Sequence, residues 1–193
     1  MQQIIKEAGV KTTLVKDIMV PLSEYATVSQ DATLSEAVAA LKKSQADYDQ
    51  TRYRHRAILV YDKDRNIVGK VNFQSILRAL EPKYDDMLSD RGPAHVGFTR
   101  KFQKAMFESL KLWEDPLEQI CKKASETKVK AFMVIPDDNE LIEPEAALGE
   151  AIHQLVIGHH QSLLVTKDKK IVGILRLTDA FEVVADNVLG CNV

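Results

Sequence analysis

The sequence repeats itself, and nothing else in it limits the fold as much. Displaced by 114 positions, Val15, Lys16, Met19 and Val20 fall on Val129, Lys130, Met133 and Val134, while Leu34, Glu36, Ala37 and Leu41 fall on Leu148, Glu150, Ala151 and Leu155. Displaced by 104, Ile67, Val68 and Gly69 fall on Ile171, Val172 and Gly173. A repeat constrains architecture more firmly than local propensity can. The two displacements differ by ten residues, which places about one extra helical turn and some loop within Lys42 to Arg56 of the first copy.

Each copy spells the same order of elements. In the first, Ala26 to Val28 reads as a short extended stretch, and Leu34, Ala37, Val38 and Leu41 recur at helical spacing, with Thr33 as N-cap and Glu36 three residues on. Ala57 to Tyr61 is a β-rich run, Asp62 to Asn66 a polar turn, Ile67 to Val71 a second strand, and Phe73 to Leu80 an apolar helix. The second copy gives a helix near Ala147 to Val156, strands at Ser162 to Thr166 and Ile171 to Leu175, and a helix from Thr178 to about Ala185. The unit is β-α-β-β-α. The fold class is α/β of the mixed α+β kind, with a first repeat and lead-in over 1–82, a helical insertion over 83–128 and a second repeat over 129–193.

The insertion has its own pattern. Phe98, Phe102, Ala105, Met106, Ser109, Leu110 and Trp113 form an apolar stripe at helical spacing. Gly92-Pro93 breaks whatever precedes it, and Asp115-Pro116 reads as a cap followed by proline at the first helical position. An amphipathic face is ordinarily core, so these helices are expected to cover the repeats; the alternative is a dimer or partner surface.

Composition narrows the partners. The 26 basic and 28 acidic residues nearly cancel, which gives no electrostatic reason to expect nucleic acid or a membrane. Cys121 and Cys191 lie outside any paired-thiol spacing and suit a reducing compartment. Met1 to Val10 lacks the apolar run of a secretory signal, and no segment approaches the roughly 20 apolar residues of a membrane span, so a cytoplasmic location is expected.

Taken in order, Val15 to Met19, Thr33 to Ala37, His55-Arg56 before Ile58 to Val60, and Ile67 to Gly69 resemble the CBS domain family. Val129 to Met133, Ala147 to Ala151, His160 before Leu163 to Val165, and Ile171 to Asp179 repeat the resemblance, which covers about three quarters of the chain. It implies a pseudo-twofold sandwich of two repeats with helices outside, paired as a homodimer. It further implies a cleft between the copies that binds AMP, ADP, ATP or S-adenosylmethionine, with no required cofactor. The expected function is regulatory: an adenosyl ligand modulates an effector protein on a separate chain.

Family members carry a hydroxyl residue three positions, and an aspartate six positions, after the strand glycine; the aspartate accepts from both ribose hydroxyls. Counted from Gly173, these positions hold Arg176 and Asp179, with Thr178 beside the latter. Arg176 either clamps phosphate or fills the cleft. Counted from Gly69 they hold Asn72 and Ser75, with Gln74 nearby and no carboxylate, so the two clefts are expected to be unequal. By the same resemblance Arg176, Thr178 and Asp179 work with Met19, Pro21, Ala26 and Arg54, while His55 and Arg56 match a pair that reaches phosphates in some relatives.

Plainer readings stand beside these. Asp179, with Glu182 three residues on, also reads as an N-cap, and a cap leaves lone pairs free for a ligand. Arg52 to Arg56 reads more simply as a solvated basic patch. His153, His159 and His160 with Asp137, Asp138, Glu140 and Glu143 lack a recognised ligand spacing, so no metal site is expected, and the acidic run reads as a solvated loop. No motif assigns catalytic residues, and the chain is not expected to be an enzyme. The competing function is a ligand-independent interaction module whose clefts are filled by side chains.

Overall fold

The structure, a computed structural model, describes residues 12–47, 56–85 and 99–191. Gly92, Pro93 and Phe98 lie outside the described residues. In the first copy a one-turn helix, α1 (Val15–Ile18), leads to β1 (Val20–Pro21), β2 (Thr27–Ser29), α2 (Leu34–Asp47), β3 (Ala57–Tyr61), β4 (Ile67–Asn72) and α3 (Phe73–Leu80). Then come α4 (Arg100–Ser109) and α5 (Leu117–Glu126). The second copy runs β5 (Leu141–Ile142), α6 (Leu148–Ile157), β6 (Ser162–Lys167), β7 (Lys170–Arg176) and α7 (Leu177–Gly190). Helix α2 is about one turn longer than α6, as the shift in the repeat requires.

The repeat persists down to individual hydrogen bonds. In both sheets the first strand pairs parallel, and the next two pair antiparallel as a hairpin. Both hairpins slip register at the same point, pairing Val60 with Gly69 then Tyr61 with Ile67, and Val165 with Gly173 then Thr166 with Ile171. Arg65 and Lys169 hold equivalent left-handed positions in the two turns, at φ 67° and 61°.

Each lead-in crosses to the other copy, and the crossing is reciprocal. The N–H of Val15 donates to Ala146 O at 3.0 Å, and that of Val129 to Ala32 O at 2.9 Å. Leu148 N–H donates to Thr13 O and Leu34 N–H to Thr127 O, both at 2.8 Å. Strand β1 extends the second copy's sheet, giving the order β1-β7-β6-β5, while Val134 bridges to Lys70 on β4. Exposed ion pairs echo the symmetry, Lys130 with Asp31 at 3.0 Å and Lys16 with Glu145 at 3.8 Å.

Packing follows the exchange. Val15 and Ile18 lie in the second copy's core with Leu148, Leu155, Leu163 and Leu175, and Val129 lies in the first copy's core with Leu34, Ile58 and Val71. Between the copies Val20, Tyr25, Leu59, Leu164 and Ile174 make a third buried cluster. Burying a Leu, Ile or Val side chain contributes roughly 1.5–3 kcal/mol, so this shared layer holds the two repeats as one body.

Thr33 caps α2 as expected: Glu36 N–H donates to its hydroxyl at 3.2 Å, and Glu36 Oε2 accepts from Thr33 N–H at 2.6 Å. The insertion differs from its reading. Helix α5 begins at Leu117 with Pro116 at the cap position, and Asp115, one residue further out, accepts from Lys123 Nζ at 2.5 Å instead of capping. Helix α4 ends at Ser109, and Lys111 and Trp113 turn left-handed (φ 48° and 62°), so the stripe does not continue to Trp113. Leu112, outside the stripe, is the buried residue here, and Trp113 N–H donates to Glu81 Oε2 at 2.8 Å. Helix α5 packs on the first repeat against α2 and α3, with Ala124 half-buried against its core, whereas α4 adds no residue to any of the three buried clusters. The covering role thus belongs to α5.

Candidate functional site

The repeat makes two equivalent corners, each where the second hairpin strand turns into a helix beneath the other copy's lead-in. At the β7–α7 corner, Val20 pairs with Ile174 and Pro21 with Gly173. A Cβ on Gly173 would lie 2.7 Å from Val20 O and 3.0 Å from Met19 Sδ, so only glycine lets the lead-in approach this closely. Register therefore carries Met19 and Pro21 to β7, three to six residues before Arg176 and Asp179.

Arg176 is the N-cap residue of α7, and its side chain makes no cap hydrogen bond. Asp179 is consequently the third helical residue rather than the N-cap, because the helix starts at Leu177, three residues before an Asp179 cap would allow. Arg176 Nε donates to Asp179 Oδ2 at 2.6 Å and Nη2 to Oδ1 at 2.5 Å, a two-pronged ion pair. The side chains are 7% and 13% exposed, so water screens the pair little. The carboxylate also lies in the first turn of its helix, where the peptide dipoles favour negative charge. Thr178 is half-buried between the two. Ala26 packs against the first copy's core and accepts from Leu59 N–H at 3.0 Å, and Arg56 is exposed just before β3. Arg54 and His55 lie outside the described residues.

The β4–α3 corner has the same backbone and different chemistry. A Cβ on Gly69 would lie 2.9 Å from Met133 Sδ and 3.1 Å from Val134 O. Asn72 caps α3, its Oδ1 accepting from Ser75 N–H at 2.8 Å and its own N–H donating to Ser75 Oγ at 3.1 Å. Both polar side chains at the motif positions are thus engaged with the helix end. Lys70 forms an ion pair with Glu140, the two side chains only 8% and 12% exposed, and His160 Nδ1 lies 3.5 Å from Glu140 Oε1. His160 Nε2 is buried with no hydrogen-bond partner among the described residues.

Glu140 corrects the expectation of a solvated acidic loop. It immediately precedes β5, as Ala26 immediately precedes β2, so the two are equivalents at the 114-residue displacement. One corner has a methyl where the other has a buried carboxylate. The repeat register held this signal, but the acidic neighbours Asp137 and Asp138 masked it. The histidines gather no metal site: among the described residues no group of three or more His, Cys, Asp or Glu is placed to hold an ion. A depression of about 530 Å³ between the two hairpin turns is lined by Arg65, Asn66, Lys169 and Lys170 and by neither Arg176 nor Asp179.

A sequence model described as the CBS domain matches residues 15–82 and 141–186, more than half of the chain. The chain belongs to the CBS domain family. No curated protein sequence matches it. Among solved structures it is similar to the CBS domain of a CBS domain containing membrane protein from Sphaerobacter thermophilus, at 18% identity and TM-score 0.60, covering 94% of this chain and 93% of that one. It is also similar to the CBS domain of a bacterial CNNM/CorC family Mg2+ transporter in complex with ATP, at 15% identity and TM-score 0.59, covering 96% and 99%. CBSX2 in complex with AMP matches at 16% identity and TM-score 0.54, covering 89% and 96%. At these identities the likeness establishes the fold, a pair of CBS repeats in a sandwich. No helix among the described residues is long and apolar enough to cross a membrane.

Proposed function

We propose that this CBS pair is a ligand-sensing regulatory module, not an enzyme, binding one adenosyl compound per chain at the β7–α7 corner and passing its occupancy to a partner protein. The observation that carries the reading is the asymmetry of the corners. Both corners hold a buried ion pair, but Lys70 and Glu140 lie beside a helix start closed by Asn72 and Ser75, whereas Arg176 and Asp179 lie on the helix start itself and place a carboxylate at the motif position. An ionised carboxylate accepts from a vicinal diol, the chemistry a ribose offers. In this reading Arg176, Thr178 and Asp179 meet ribose and phosphate and work with Met19, Pro21, Ala26 and Arg54 of the first copy, while His55 and Arg56 contact phosphate. The ATP and AMP complexes of two structural neighbours support an adenine nucleotide as the ligand class.

Thermal-shift measurements against AMP, ADP, ATP and S-adenosylmethionine test the proposal, since ligand at 100 times its dissociation constant adds about 2.7 kcal/mol to stability. Binding should weaken in Asp179→Ala and persist in Ser75→Ala; equal effects would defeat the single-site assignment.

Two features favour a second reading, a ligand-independent interaction module. Asp179 is already engaged by Arg176, and Phe107 and Leu117 are exposed on α4 and α5, 51% and 74% accessible. A partner captured equally with and without nucleotide would support it. For self-association we propose a homodimer through α3 and α7, whose Phe73, Leu77, Phe181 and Leu189 are exposed. Light scattering of Leu77→Glu against the parent chain tests that face. The cellular location we propose is the cytoplasm.

A further inference from the structure

Resting on the reading that the β7–α7 corner receives a ribose, we infer that Arg176 makes the site selective for phosphorylated nucleosides, against adenosine and against S-adenosylmethionine. The argument starts from the geometry of the fork. Nε and Nη2 of Arg176 donate to different oxygens of Asp179, at 2.6 and 2.5 Å. Such a fork occupies the edge of the carboxylate between its two oxygens, and the remaining lone pairs point outward, away from each other. A ribose holds its two hydroxyls side by side, so it needs that same edge. Ribose and guanidinium therefore compete for one acceptor.

Charge decides the outcome. The guanidinium cannot lose its proton, and Arg176 is only 6% exposed. When ribose takes the carboxylate, Arg176 loses the Asp179 ion pair in a place where water replaces it poorly. Adenosine brings no anion. S-adenosylmethionine brings a sulfonium cation at the 5′ carbon, where a nucleotide carries phosphate. A phosphate offers paired oxygens that accept the same fork. Binding a nucleotide then becomes an exchange: Asp179 passes from arginine to ribose, Arg176 passes from carboxylate to phosphate, and each group keeps a hydrogen-bonding partner. The β4–α3 corner has no counterpart to this exchange, because Asn72 and Ser75 bond each other as neutral groups.

Calorimetric titration of the full chain with AMP, adenosine and S-adenosylmethionine tests the inference, using the parent, Arg176→Met and Arg176→Lys. In the parent, AMP should bind at least about tenfold more tightly than adenosine or S-adenosylmethionine, the scale of one charge-assisted contact. Arg176→Met should bring AMP and adenosine to about equal affinity, weakening the former and tightening the latter, and Arg176→Lys should keep the preference for AMP, since the charge remains. Equal binding of AMP and adenosine by the parent would overturn the inference without any variant having to fold. Arg176→Met tightening both alike would also overturn it, since the side chain would then be an obstruction only. If none of the three compounds binds the parent or a folded variant, the ribose reading itself fails and the inference falls with it.

Discussion

The β7–α7 and β4–α3 corners share a backbone, a glycine under a crossing lead-in and a helix start, yet they dispose of polarity in opposite ways. At β4–α3 the helix end is closed by a neutral Asn72–Ser75 box, and the buried charge lies beside it, in Lys70 and Glu140. At β7–α7 the cap is left without a side-chain bond, and the charge lies on the helix itself, in Arg176 and Asp179. The lesson is that a duplicated fold does not duplicate a site. Backbone geometry is held by glycines and apolar positions, which the copies share, while ligand chemistry depends on a few polar positions, which have diverged.

The largest effect expected from breaking this contrast is at Lys70. Lys70→Met leaves Glu140 buried without its ammonium and should cost about 3–5 kcal/mol, read as a drop in the denaturant midpoint. Adding Glu140→Ala, which installs the residue the other copy carries at Ala26, should recover most of that loss. No recovery would show that the pair does more than neutralise itself. Next are the two glycines. Gly173→Ala meets the backbone oxygen of Val20, and Gly69→Ala meets first the flexible end of Met133. We expect about 1–3 kcal/mol for the former and clearly less for the latter by thermal melting. Asn72→Ala should then cost about 1 kcal/mol through loss of the cap, with no change in nucleotide binding by titration.

The smallest effect separates the two exposed lead-in pairs. Lys130 holds the Asp31 carboxyl below its usual value, first through a hydrogen bond and then through its charge. Because the folded value is depressed, the stabilisation is complete above the ordinary carboxylate range of about 4 and fades as pH falls through the folded value. Asp31→Asn should flatten the acid limb of the pH–stability curve slightly at low salt, an effect lost at high salt. In double-mutant cycles Lys130 and Asp31 should couple more strongly than Lys16 and Glu145, and equal couplings would mean that the 3.0 and 3.8 Å separations do not differ in solution.

Much of this architecture was legible because it is carried by periodic or repeated residues. The helices from Leu34 and Leu148, the hairpin strands and the Thr33–Glu36 cap follow from spacing alone. Arg176, Thr178 and Asp179 were legible as a group by their distance from Gly173. The start of α7 was not: Asp179 resembles an N-cap in sequence, and only the backbone, with Arg176 at the cap position, shows it to be the third residue of the helix. The α4 stripe misled because periodicity records which residues share a face and not whether a surface lies opposite that face.

The sequence by itself determined the duplication, the order of elements in each copy and the unequal polar residues at the two corners, since these are local patterns or comparisons of one segment with another. The tertiary structure alone decided that each lead-in belongs to the opposite copy's core and that Glu140 is buried against Lys70. It also decided that Arg176 already grips the carboxylate a ribose would need. These are pairings between residues distant in sequence or free to point elsewhere, and they are fixed only when burial removes water as the competing partner.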